Sequence, residues 1–287
     1  MPLTPVFVEK ATGDQSAPAL EEQHGGVLND PRLTEYVDYV GRSMLPFSLR
    51  GNEPHQYKVL ASPKIINAFT LGNGSIYITK GLLNMLDNEA ELAEVLGHEN
   101  GHFGHRHIAA QIDRGVGLGL LLAMAEGFYA DSRGAKLTEG QGALLDKANE
   151  VIPSLVLNGF GREQELEADE HGLFTMVKAG YDPMSSVHVF EKFQKLEPET
   201  KGLEAFFQSH PTAATRIQDL QADINRKFPG VSGVTNQERY QAIVKGTASM
   251  SQIGPTGESR IMGVPTPLAI AGGVGLAITT GLVIASL

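Results

Sequence analysis

The sequence predicts a mainly α-helical domain that carries a small antiparallel β-sheet, an α+β arrangement. Apolar residues recur at three- and four-residue intervals in two long segments, near residues 30–45 and 88–107, and a third helix is read over 162–178. Between the first two lie short runs rich in branched and aromatic residues, with a glycine-rich turn among them. With 41% hydrophobic and 20% charged residues, a chain of 287 positions can bury a full core. No repeat of fixed period appears, so one main domain is expected over residues 1–255, followed by a linker and apolar tail over 256–287.

The first helix is announced by "DPRLTEYVDYVGRSML". Asp30 is its cap, Pro31 takes the first helical position, and Leu33, Tyr36, Val37 and Val40 share one face. Three strand-like runs follow, "YKVLA", "INAFTL" and "SIYITK", and Gly72-Asn73-Gly74 between the last two reads as a hairpin turn. No Gly-Lys-Ser/Thr follows those glycines, so a phosphate loop is the poorer reading. The next helix is expected over 88 to about 107, with Asn88 and Glu91 forming a capping-box-like start. It carries "HENGH". Residues four apart lie on one helical face, so His98 and His102 can bring two imidazole nitrogens to one zinc ion, with Glu99 placed as a general base. Gly101 weakens this helix, unless it marks a place where another backbone comes close. His105 and His107, seven and nine residues beyond His98, are not counted as ligands.

A third helix, Arg162 to Lys178, is stopped by Gly180 and Pro183. Glu165 and Asp169 share a face on it, but Glu163, Glu167 and Glu170 lie there too, and spacing leaves the metal ligand open among five acids.

Composition narrows the function classes. A net charge of −10 without any cluster of Lys and Arg interleaved with aromatics offers no nucleic-acid surface. The absence of cysteine removes disulfides, thiolate nucleophiles and cysteine metal sites, and fits either redox compartment. The first residues lack a basic stretch followed by an apolar core, so no signal peptide is read in this chain.

With "HENGH" and "GREQELEAD" in one chain, the sequence resembles the gluzincin peptidases of the group that includes the CAAX prenyl protease type 1, HtpX and the periplasmic BepA-like proteases. The similarity extends over roughly residues 20 to 225. Arg162, Glu165, Ala168 and Asp169 fall on that group's Arg-x-x-Glu-x-x-Ala-Asp pattern. The resemblance implies a zincin-like metalloprotease domain with one Zn2+ per chain, held by His98, His102 and Glu165. Asp169 becomes the carboxylate that orients a ligating imidazole. In "SHPTAATRI", His210 and Arg216 are expected near the site, to stabilise charge on the tetrahedral intermediate and brace the acidic cluster. The implied reaction is peptide-bond hydrolysis by a zinc-bound water that Glu99 activates, on polypeptide substrates. A zinc-binding chaperone-like protein using the same cleft is the alternative, and retention of Glu99 speaks against it. A purely structural zinc is disfavoured because three ligands leave one position open.

Two further expectations concern surroundings. "SIYIT" is a strand whose free edge could pair with an extended, unfolded segment, which predicts loose sequence preference. "LAIAGGVGLAITTGLVIASL", residues 268–287, has no charge and is long enough as a helix to span a bilayer. This predicts membrane association through the tail, on the cytoplasmic side or, for a processed chain, in the periplasm. The run "GVGLGLLLAMA" at 115–125 is too short to span and is read as a buried helix or lipid-contacting loop.

Overall fold

The computed structural model of the chain describes residues 1–115, 159–196, 210 and 215–246, with a few positions between 127 and 134. Among these, helices α1 (Val6–Gln23) and α2 (Pro31–Met44) precede strands β1 (Gln56–Leu60), β2 (Ala68–Thr70) and β3 (Ser75–Thr79). Helices α3 (Lys80–Met85), α4 (Glu89–Gly104), α5 (Arg162–Ala179), α6 (Met184–Leu196), α7 (Thr215–Lys227) and α8 (Gln237–Val244) follow. The mainly helical α+β class stands. The apolar run from 116 to 125 and the tail from 256 to 287 lie outside the described residues.

Helix α2 begins as its sequence requires, with Leu33 N–H donating to Asp30 Oδ1 at 3.3 Å and Pro31 filling a position that needs no donor. Its predicted face, Leu33, Tyr36, Val37 and Val40, is fully buried against the sheet and α4.

The sheet is mixed, not antiparallel. Its order is β1-β3-β2, with β1 parallel to β3 and β2 antiparallel to it. Only β2 and β3 are joined by the tight turn, where Gly74 takes a φ of +83°. Residues 61–67 carry the chain past the place that β3 later fills, and β3 therefore runs beside β1 in the same direction. This overturns the free edge expected for "SIYIT". β3 is central, paired on both sides, and all five of its residues are buried.

Helix α4 lies at the centre, with every residue from Glu89 to Phe103 buried. Asn88 caps it, its Oδ1 accepting from Glu91 N–H at 3.0 Å, while the Glu91 carboxylate accepts from Asp87 N–H, so the box is only half closed. The helix ends earlier than its pattern suggests. Arg106 adopts a φ of +60°, and helix resumes over 107–115. Arg106 holds that conformation by donating to Glu9 at 2.9 Å and to the Thr4 carbonyl at 2.5 Å. Both partners come from the N-terminal segment, where α1 is an element that no apolar periodicity announces: it buries Glu9, Thr12 and Ser16 alongside Val8 and Leu20.

Helices α4 and α5 cross closely. A Cβ on Gly101 would stand 2.9 Å from Ala168 Cα, and one on Gly172 would stand 2.9 Å from His98 N, so small residues on both faces permit the contact. The close approach entertained for Gly101 is thus what the fold contains.

Candidate metal centre

Helix α4 supplies His98, Glu99 and His102, and α5 supplies Glu165 and Asp169. Of the acids on α5, Glu165 and Asp169 point inward and are buried, while Glu163, Glu167 and Glu170 are exposed. Because α4 and α5 touch backbone to backbone, short side chains from each can meet. His98 Nε2 and His102 Nε2 stand 2.9 Å apart, with the Glu165 carboxylate oxygens 3.6 Å from the first and 3.5 Å from the second. His210 joins them: its Nδ1 lies 3.3 Å from His98 Nε2 and 3.1 Å from Glu165 Oε1. Ligand atoms of His98, His102, Glu165 and His210 all fall within 4.8 Å of one another.

Whether this group suits a metal is decided by where its protons sit. His98 Nδ1 donates to Asp169 Oδ1 at 2.9 Å, which leaves its Nε2 with a lone pair. His102 is turned the same way, with Nδ1 directed at His107 Nδ1 at 2.8 Å and Nε2 facing His98. Two lone pairs facing across so short a gap repel unless a cation lies between them. Two imidazoles and a carboxylate are a donor set that zinc accepts, so the residues fit the ion.

Electrostatics prepare the same state. Burial, only partly offset by Glu165, holds His102 well below the usual imidazole range, so it is neutral. Burial would raise Glu165, but the His210 charge, a hydrogen bond from His210 and the His102 ring beside it bring it well below the ordinary carboxylate value. Burial likewise opposes Asp169, yet the adjacent Arg216 charge holds it ionised. Arg216 reaches Asp169 through Nε at 2.8 Å and Nη2 at 2.6 Å, and its Nη1 lies 2.8 Å from Glu165 Oε2. His210 is pushed up to about 10: burial lowers it, and the charges of Glu165 and Glu99 more than reverse that. Glu99 Oε1 is 3.3 Å from His210 Nε2, while Glu99 Oε2 is buried with no hydrogen-bond partner among the described residues.

All seven residues singled out by the sequence, His98, Glu99, His102, Glu165, Asp169, His210 and Arg216, therefore meet in one buried group. Sequence reasoning missed others. The Phe160 ring stacks on His102 at 3.7 Å between centroids, and His107 bridges His102 to Glu167, its Nε2 lying 2.9 Å from Glu167 Oε2. Buried Glu94, one turn before His98, has neither carboxylate oxygen hydrogen-bonded among the described residues, and burial raises its pKa well above the ordinary value. The histidine-rich run after His102 was the visible signal for His107; nothing in the sequence marked Phe160.

Comparison with protein families matches residues 31–224 to "Peptidase family M48". Curated relatives include the mitochondrial metalloendopeptidase OMA1 of Arabidopsis thaliana, 32% identical over 167 residues, which cover 58% of this chain and 31% of the relative. Metalloprotease LoiP of Escherichia coli is 32% identical over 194 residues, 66% of this chain and 68% of LoiP. The beta-barrel assembly-enhancing protease of the same bacterium is 26% identical over 215 residues, 71% of this chain and 42% of the relative. The chain thus spans less than half the length of two of these three relatives.

Proposed function

The chain belongs to peptidase family M48, and on that premise we propose that it is a zinc-dependent metalloendopeptidase acting on unfolded or extended polypeptides. The facing Nε2 atoms of His98 and His102, with Glu165 beside them, carry this reading. These three residues would hold one Zn2+ per chain. When bound, zinc supplies a Lewis acid that polarises a carbonyl and acidifies water.

Everything else is done by the chain's own groups. Glu99 has an uncommitted carboxylate oxygen beside the ligands, takes a proton from the attacking water and returns it to the leaving amine. His210, next to Glu99, donates to the negative charge that develops on the carbonyl oxygen. Asp169 fixes the His98 tautomer, and Arg216 keeps Asp169 ionised without touching substrate. For the substrate, β2 is the outer strand on this side of the sheet, and its Ala68 carbonyl lies 3.3 Å from His210 Nε2. An extended peptide added along β2 would meet the metal group through main-chain hydrogen bonds, which supports loose side-chain preference. One relative's name, a beta-barrel assembly-enhancing protease, supports polypeptides awaiting assembly as substrates. Residues 268–287 remain the candidate membrane anchor. Among the described residues no helix is long and apolar enough to cross a membrane.

The test is Glu99→Gln, which keeps size and hydrogen bonding but cannot take the proton. It is expected to retain zinc and lose about a hundredfold or more in kcat on an unfolded test protein. A kcat equal to the parent's would make Glu99 structural and favour a binding role for the cleft.

A further inference from the structure

A second group of metal-binding side chains lies beside the first. His105, His107 and Glu167 offer ligand atoms within 4.8 Å of one another, and none of them belongs to the inner group. The His105 and His107 rings lie nearly parallel with centroids 5.4 Å apart, and His107 Nε2 is 2.9 Å from Glu167 Oε2. Burial is graded across the group: His107 is buried, His105 is partly exposed, and 55% of the Glu167 side chain is open to solvent. One side can therefore exchange an ion with water. Two imidazoles and a carboxylate suit a divalent transition metal of the zinc class better than magnesium or calcium.

The other nitrogen of His107 ties this group to the inner one. Its Nδ1 lies 2.8 Å from His102 Nδ1. A His102 that presents its Nε2 lone pair to the inner metal carries its proton on Nδ1 and donates it to His107 Nδ1. The His107 proton then sits on Nε2 and points at Glu167. A metal ion taking Nε2 displaces that proton, and a neutral His107 must hold it on Nδ1 instead. Two N–H groups would then face each other, and the His102–His107 hydrogen bond is lost.

We propose that His105, His107 and Glu167 form a second, weaker site for a divalent transition metal, negatively coupled to the inner centre through the His107–His102 contact. Excess zinc in the outer site disengages His107 from His102 and lowers peptidase activity. The coupling rests on the inner zinc assignment, whereas the outer site does not.

Zinc alone, titrated into the metal-stripped full chain with calorimetry and dialysis, tests both parts. Two binding events per chain are expected. His105→Ala and the solvent-facing Glu167→Ala should each remove the weaker event and leave the tight one, with circular dichroism confirming the fold. His98→Ala should remove the tight event and strengthen the weaker about tenfold, because His102 is then free to accept from His107. Activity of the parent should drop several-fold between stoichiometric and excess zinc, and that ratio should return to near unity in His105→Ala. A single event in the parent, or a weaker event that survives both outer variants, overturns the outer site. Unchanged weak affinity in His98→Ala overturns the coupling. A tight event that persists in His98→Ala overturns the inner assignment and the coupling with it, and leaves the outer site to be judged by its own variants.

Discussion

At the scale of single residues, the centre is a set of charges and lone pairs that tolerate one another only in this arrangement. His98→Ala, His102→Ala and Glu165→Ala are each expected to deplete zinc, measured by elemental analysis, while helical content stays near the parent's. Full occupancy in all three variants would sink the ligand assignment. Arg216 is 2% exposed and is the cation that balances Asp169 and Glu165. Arg216→Ala leaves buried Asp169 without its cation and Glu165 with only His210, and should cost about 3–5 kcal/mol in denaturant unfolding. Within the centre, two histidines contribute opposite pH dependences to the metal-stripped chain. His102 is depressed below the ordinary 6.5, so its unfolded form binds a proton that the folded form refuses, and stability falls as pH drops below that value. His210 is raised to about 10, so the stability it contributes is complete below 6.5 and is lost as pH climbs toward 10. Each of these two groups should add a slope of up to about 1.4 kcal/mol per pH unit, and the other depressed histidines, His24, His55, His107 and His171, should steepen the acid limb further. Loss of the alkaline limb in His210→Asn would identify its source, and an unaltered limb would refute it.

Between elements, the decisive contact is the crossing of α4 and α5. Gly97, Gly101, Ala168 and Gly172 let the two helices that carry the candidate ligands approach until even an added methyl meets backbone. Gly101→Ala should push them apart by some tenths of an ångström, cost about 1–3 kcal/mol, and weaken zinc binding although no ligand is changed. Unchanged stability and zinc affinity would show that the crossing has slack. The break at Arg106 belongs to the same scale. A continuous helix would carry His107 away from His102; the left-handed residue turns the chain so that the two rings meet at 5.0 Å between centroids.

For the molecule as a whole, the N-terminal helix acts as a clamp. Buried Glu9 pairs with Arg106 at 2.9 Å and Arg50 at 3.4 Å, and Asp113 accepts from Thr4 N–H at 2.8 Å. Together these tie the N-terminal segment to the turn that follows α4 and to the helical stretch after it. Glu9→Ala should destabilise the fold by about 1–3 kcal/mol, since it leaves Arg106 without its carboxylate partner in a strained conformation. A melting temperature equal to the parent's would show that α1 is only appended. The membrane proposal is tested at this scale as well. Deleting residues 264–287 should release the protein from the membrane fraction after carbonate washing and leave it folded, and unfolding on deletion would assign the segment to the core instead.

What the sequence determined by itself was everything written in local spacing. Two histidines four apart share a helical face in any context, Asp30-Pro31 starts a helix and Gly72-Asn73-Gly74 turns a chain, because each effect needs only neighbouring atoms. The choice of Glu165 and Asp169 among five acids came from resemblance, and helix burial shows the same two facing inward. Tertiary structure alone decided what depends on distant partners. The direction of β1 against β3 follows from where the intervening chain passes, the end of α4 from a salt bridge to Glu9, and the places of His107 and Phe160 from a turn and a loop that carry no periodicity. Local preference is weak against such contacts: helix propensities differ by less than about 1 kcal/mol among ordinary residues, and Arg106 is held by both Glu9 and the Thr4 carbonyl.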